Sequence, residues 1–312
     1  MRLRQIAPSE PARVATPQLP LVRQSASWDC GLACVESIVR CGAAAVLVAR
    51  DRPQCRKRRQ AAVTSDAAAA VAVLRAEIRA LVGTQRTWTI DLLRLLVDDY
   101  AIDATLHTTS TCATPSHVEI PYYSEVLLRD ACRINALFKS SSDPARGLRV
   151  VEGALASWEL ARTVHTGTAL AIVLLDYHYL NRKETVVAAQ PASSFAGHYV
   201  VLYGYLPDVD EYVLLDTSLR DAHAGVRGGS FIDGVVGALA HMVGLGGAVL
   251  APPPPPEAAV DRGQNDDGAP VDTAVMRRKL RAAGARLVPR ATVDEARGAE
   301  GTDDDVILVA LR

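Results

Sequence analysis

The C-terminal half of the sequence constrains the fold most, because it contains four short apolar runs. They are LAIVLLD at 170–176, HYVVLYGY at 198–205, EYVLLD at 211–216 and DVILVAL at 305–311. Each run is β-branched or leucine-rich and is bounded by turn residues, which is typical of strands. The segments before residue 168 have helical spacing instead. This order predicts an α+β domain in which N-terminal helices pack on an antiparallel sheet.

Helical spacing is clearest at two places in the N-terminal half. Residues 31–41 repeat apolar side chains at the helical period, and so does TWTIDLLRLLVDDY at 87–100. Two further helices are predicted, from Tyr122 to Phe138 and from Val150 to Arg162.

Composition divides the chain into four segments. Residues 1–19 are predicted to be a flexible tail, and 20–219 the main domain. Residues 220–290 have the proline- and glycine-rich composition of a low-complexity insertion, and 291–312 are expected to complete the domain with a turn of helix and a strand. The apolar run at 231–250 approaches the ~20 residues that span a bilayer, but its Asp233, His241 and glycines favour an ordinary insertion segment.

Charge and cysteine usage limit the expected partners and compartment. The 34 basic residues almost balance the 35 acidic ones, so the charge favours neither nucleic acid nor an anionic membrane as a partner. The six cysteines form no CxxC pair, which argues against a disulfide framework and a zinc site and favours a cytoplasmic location. The N-terminus has arginines but no apolar secretory core; a mitochondrial signal is the weaker alternative. The oligomeric state has no signature in the sequence.

Cys30 is the first candidate for chemistry. It follows a polar loop and begins a predicted helix, in the stretch RQSASWDCGLAC at 23–34. A cysteine in this position is either a buried space-filling thiol or a nucleophile whose ionised form is favoured by the helix dipole.

A cysteine nucleophile needs a base and a group that orients the base. His198 opens one predicted strand, and Asp216 ends the next one. If the hairpin turns about Pro207, the two residues face each other directly across the strands. The alternative is a strand-end histidine with a coincidental acid opposite.

An oxyanion formed during acyl transfer needs hydrogen-bond donors. Gln24 lies six residues before Cys30 on the loop that enters the helix. Its side-chain amide and the backbone N–H of Cys30 are the candidate donors.

These residues carry a resemblance to known families. Gln24, Cys30 followed by Gly31, a later GHYVV and an aspartate at a strand end resemble the papain-like cysteine peptidases, above all their bacteriocin-processing branch. More narrowly, the sequence resembles the guanylyl cyclase domain-containing proteins of eukaryotes. The motifs are WDCGLAC at 28–34, WTIDL at 88–92, GHYVVLYGY at 197–205 and EARGAEGTDDDVILV at 295–309.

The two resemblances imply different activities. The papain-like one implies a thiol hydrolase that needs no cofactor and acts on a peptide or another amide, with Gln24, Cys30, His198 and Asp216 as catalytic residues. The narrower one implies conversion of GTP to cyclic GMP with Mg²⁺ or Mn²⁺. The sequence has no phosphate-binding GxxxxGK or GxGxxG motif, and its acidic run at 303–305 is expected to be a solvated turn. A binding protein without turnover is a third alternative.

Overall fold

A computed structural model describes residues 19–41, 53–64, 68–83, 87–124, 126–141, 148–181, 195–218 and 272–311. Its described part is built on one sheet of seven strands in the order β2-β1-β7-β3-β4-β5-β6. The strands are β1 Ala104–Thr108, β2 Arg149–Glu152, β3 Ala169–Asp176, β4 Gly197–Leu206, β5 Glu211–Leu215, β6 Arg286–Pro289 and β7 Val306–Ala310. All neighbours are antiparallel except β1 and β2, which are parallel.

Ten α-helices lie in the described residues. They are α1 Cys30–Arg40, α2 Pro53–Thr64, α3 Ala68–Val82, α4 Thr89–Arg94, α5 Pro121–Ser124, α6 Leu127–Ser141, α7 Ser157–His165, α8 Tyr177–Leu180, α9 Thr273–Ala282 and α10 Arg290–Arg297. A π-helical turn, Leu95–Asp99, continues α4, and 3₁₀ turns occupy Pro115–Glu119 and Pro207–Val209.

The sheet separates two apolar cores, because successive side chains of a strand point to opposite faces. On β4, Tyr199 and Val201 belong to the core that contains α1 and α4. Val200 and Leu202 belong to the opposite core, to which α7 and α10 contribute. The buried strands are therefore apolar on both faces, which explains the continuous apolar runs in the sequence.

The four predicted strands and the helices at 31–41 and 87–100 are confirmed. The helix predicted from Tyr122 to Phe138 is split between α5 and α6. The helix predicted from Val150 to Arg162 is wrong in its first half, because Val150 and Val151 pair with β1 as part of β2 and the helix begins only at Ser157. Strands β1 and β6 were also not predicted.

The boundary predicted for the insertion is wrong at its C-terminal end. Residues 273–282 form α9 and 286–289 form β6, which adds an edge strand to β5. Residues 219–271, including the apolar run at 231–250, lie outside the described residues, as do residues 1–18. Within the described residues, no helix combines the length and apolar character needed to cross a membrane.

Candidate active site

The loop that leads into α1 is organised around the buried carboxylate of Asp29. This carboxylate accepts hydrogen bonds from the backbone N–H of Ser25 and of Ala26, each at 3.0 Å, and from the side chains of Ser25 and Arg79. Burial alone would raise the pKa of Asp29, but these hydrogen bonds hold it below its usual value. The carboxylate thus fixes the turn immediately before Cys30.

Cys30 is the first residue of α1, and its preceding residue does not cap the helix. Asp29 points back into its own loop and makes no side-chain capping bond to α1. The first N–H groups of a helix have no intrahelical partner, and together with the helix dipole they favour a negative charge nearby. Cys30 therefore lies at the N-terminal end of α1, beside these N–H groups.

His198 and Asp216 form a buried pair. The Nε2 atom of His198 lies 2.9 Å from Oδ1 of Asp216, and the two residues are 5% and 1% exposed. The predicted contact is confirmed, but the predicted register is wrong. The strands pair Val201 with Leu215, and after a bulge Tyr205 with Tyr212, so that His198 and Asp216 are not directly opposed.

The ionisation of the pair follows from its contacts. Burial alone would lower the pKa of His198, but hydrogen bonds with Asp216 and Cys30, together with the negative charges of both, raise it to about 9. Burial would likewise raise the pKa of Asp216, and the contacts from His198 and Ser218 hold it well below its usual range. Since Nε2 faces Asp216, Nδ1 is the ring nitrogen that can bond to the Cys30 sulfur.

Arg286 is a site residue that sequence reasoning missed. Its Nη1 donates to Oδ2 of Asp216 at 2.8 Å, whereas Oδ1 accepts from His198 and from the backbone and side chain of Ser218, at 3.0 and 2.7 Å. Arg286 lies on β6, inside the segment that its composition assigned to the insertion. The only local signal was the short apolar run of Leu287 and Val288 beside it.

Gln24 is tied to the same region through its backbone. Its N–H donates to the carbonyl of Thr217 at 3.2 Å, next to Asp216 in the chain. The side-chain Oε1 is buried and has no hydrogen-bond partner. The loop of Gln24 therefore lies beside the end of β5, and donation by its amide to an oxyanion stays a prediction.

Aromatic rings surround the strand that carries His198. The Tyr177 ring stands edge-on to the His198 ring, with centroids 5.4 Å apart. A Cβ at Gly197 would lie 3.2 Å from atoms of both Tyr122 and Phe195. Glycine before His198 therefore lets the strand pass close to these rings.

The acidic run at 303–305 is divided among separate partners. Asp303 lies 3.2 Å from His117, and Asp304 lies 2.7 Å from Arg297. Asp305 is buried and bonded to Thr89, and burial raises its pKa to about 7. The expectation of a solvated turn is wrong for Asp305, which is 9% exposed. No group of three or more His, Cys, Asp or Glu side chains in the described residues is arranged to hold a metal ion.

The environments of the cysteines predict selective alkylation. Burial raises the pKa of Cys34 well above its usual value and that of Cys41 to about 12, while Cys112 and Cys132 are exposed. Cys30 is itself only 4% exposed, but it contacts His198, whose pKa is raised to about 9. Because an ordinary thiol is mostly protonated at pH ~6, we expect iodoacetamide to modify Cys30 about tenfold faster than the exposed cysteines.

The control for this experiment is His198→Ala, which should remove the advantage of Cys30. Rates are measured for each cysteine by peptide mass spectrometry. Faster labelling of Cys112 or Cys132 than of Cys30 in the unmutated protein would contradict an activated thiolate.

Comparison with known proteins identifies a family to which most of the chain is similar. The model of the guanylylate cyclase family matches residues 19–230. Guanylyl cyclase 1 of Arabidopsis thaliana is 26% identical over 210 residues, and the alignment covers 66% of this chain and 66% of the relative, just under two thirds of its length. No solved structure matches.

Proposed function

Because the chain belongs to the guanylylate cyclase family and its site joins a thiol to a buried histidine–aspartate pair, we propose that it is a thiol hydrolase or acyltransferase on a papain-like α+β fold. The observation that carries the proposal is the contact of His198 with both Asp216 and Cys30. Three features support the fold: the cysteine begins a helix packed against a sheet that is antiparallel except between β1 and β2, the histidine lies on a central strand, and the aspartate follows the neighbouring strand.

The proposed reaction divides into two steps. The Cys30 thiolate attacks a carbonyl carbon and forms a thioester, while protonated His198 gives its proton to the leaving group. His198, now neutral, takes a proton from water, which attacks the thioester and releases the acid and the Cys30 thiolate, so that the starting pair of thiolate and protonated His198 is restored. Asp216 holds the ring of His198 throughout and stabilises its protonated form.

The oxyanion of each step needs donors that are already in place. The backbone N–H of Cys30 and the side-chain amide of Gln24 are the proposed donors. The substrate class is a peptide, an isopeptide or another amide, since all three present the same carbonyl group.

The second candidate is cyclisation of GTP, which family membership and the name of the Arabidopsis relative favour. Such a reaction uses Mg²⁺ or Mn²⁺ held by carboxylates near the triphosphate. The acidic run does not fit this role, because Asp303, Asp304 and Asp305 each have a separate protein partner.

Hydrolysis of p-nitrophenyl acetate tests the proposal. We expect a rapid release of p-nitrophenolate as Cys30 is acetylated, followed by slower turnover. Replacement of His198 by alanine should reduce the rapid phase by ~10²–10⁴-fold, the usual contribution of a general acid–base. The control is His165→Ala, which removes a histidine bonded to the Tyr205 carbonyl outside the site. Equal rapid phases in the two variants would contradict the proposal.

A further inference from the structure

We propose that Arg286 is a positioning residue of this site, which fixes the Asp216 carboxylate and balances its charge. As far as it concerns catalysis, the inference rests on the proposed function. It assigns part of the site to the C-terminal segment 272–311, which lies beyond residues 19–230 that match the family model.

The two oxygens of Asp216 are divided between different partners. Oδ1 accepts from His198 and from Ser218, whereas Oδ2 accepts from Arg286 at 2.8 Å. A carboxylate held at both oxygens cannot rotate without breaking a charged hydrogen bond. Arg286 therefore determines which oxygen is presented to His198.

Arg286 is itself held in one orientation. On β6, Arg286 is paired with Leu214 of β5, and Leu214 lies two residues before Asp216 in the chain. Because side chains two residues apart along a strand point to the same face, the side chains of Arg286 and Asp216 lie on the same face of the sheet. Its Nη2 donates to the carbonyl of Leu180 at the end of α8. Two nitrogens of one planar guanidinium thus bridge α8 and Asp216, an arrangement that a lysine cannot reproduce.

The charge of Arg286 matters because the carboxylate is buried. The side chain of Asp216 is 0% exposed, and that of Arg286 is 21% exposed. The titratable groups around His198 are Cys30 from α1, Asp216 after β5 and Tyr177 from α8. Arg286 meets His198 only through Asp216, where it offsets part of the negative charge that stabilises the imidazolium.

This arrangement predicts a direction of change. Without the cation, the full charge of Asp216 acts on His198, so the imidazolium should persist to higher pH. We expect the His198 titration in Arg286→Met to move upward by about one pH unit. Arg286→Lys keeps the charge and should titrate like the unmutated protein, but it loses the bond to Leu180 and should react about three- to tenfold more slowly with p-nitrophenyl acetate.

The experiment is a titration of the histidine ring nitrogens by NMR, with His198→Gln used to assign the signal among the seven histidines. The matched control is Arg277→Met, which removes an ion pair of 2.7 Å between α9 and Glu211 of β5, away from the site. It should leave the titration unchanged. The inference would be overturned if the midpoint of the His198 titration in Arg286→Met stayed the same or fell, or if it rose equally in Arg277→Met.

If Arg286→Met does not fold, Arg286→Lys decides alone: an unchanged titration with a slower reaction supports the inference, and any other combination overturns it. The titration needs no substrate. A shift in Arg286→Met without any hydrolysis in the unmutated protein would therefore reject the proposed function and retain the charge balance.

Discussion

Replacing Cys30 with alanine should reduce hydrolysis of p-nitrophenyl acetate by on the order of 10³-fold or more, because acyl transfer through this site has no nucleophile without the sulfur. Initial rates of p-nitrophenolate release measure the loss. Cys34→Ala is the matched control, since Cys34 lies one turn further along the same helix and is fully buried. It should retain the rapid phase.

The same variants separate the two candidate reactions. Cyclic GMP formation, assayed with GTP and Mn²⁺, should be unaffected by Cys30→Ala, because a thiol has no part in the attack of a 3′-hydroxyl on a phosphate. Asp303→Asn is the complementary variant, because it removes one carboxylate of the acidic run that a cyclase would need for its metal ion. Asp303 is chosen because its partner is a histidine, His117. Robust cyclic GMP formation that survives Cys30→Ala and disappears in Asp303→Asn would favour the cyclase. Loss of both reactions in a folded Cys30→Ala protein would contradict both accounts.

Replacing Asp216 with alanine should lower the free energy of unfolding by about 3–5 kcal/mol, the range seen when one partner of a buried ion pair is removed. The change leaves Arg286 without its carboxylate partner and removes the acceptor for His198 and Ser218. Urea unfolding at neutral pH measures the loss.

The control for this stability prediction is Asp210→Asn, which removes the charge but keeps a residue type that tolerates the left-handed backbone at this position. Asp210 also pairs with an arginine, Arg290 at 2.7 Å, but its side chain is 48% exposed. Exposed ion pairs contribute about 0–1 kcal/mol, so this variant should be nearly as stable as the unmutated protein. Equal losses in the two variants would show that the burial of Asp216 has no energetic consequence.

The contact between His198 and Asp216 was predictable, although its register was not. His198 begins one strongly apolar run and Asp216 follows the next, and the two runs form one hairpin. The hairpin therefore brings both residues to the same end of the two strands. The register depends on a bulge between Leu202 and Gly204 and on the 3₁₀ turn Pro207–Val209, where Asp210 takes a left-handed conformation at φ 52°. Neither feature has a reliable signal in the hydrophobic pattern.

Arg286 and the acidic run show what the sequence could not reveal. Strand β6 has only four residues and lies inside the segment 220–290, whose composition predicted an insertion, so its pairing with β5 is decided by tertiary contacts. The three aspartates look equivalent in the sequence. They differ in the structure because Asp303 and Asp304 adopt positive φ while Asp305 turns inward to Thr89.

The central claim is that Cys30 carries the acyl group, and the mass of its peptide tests this most directly. Protein mixed with p-nitrophenyl acetate is quenched in acid during the rapid phase and digested with trypsin. The peptide that contains Cys30 also contains Cys34, so fragment ions must locate the modification. The account predicts an acetyl group on Cys30, absent from a sample denatured before mixing. Release of p-nitrophenolate at the same rate without acetylated Cys30, or with acetyl groups spread equally over Cys112 and Cys132, would contradict it.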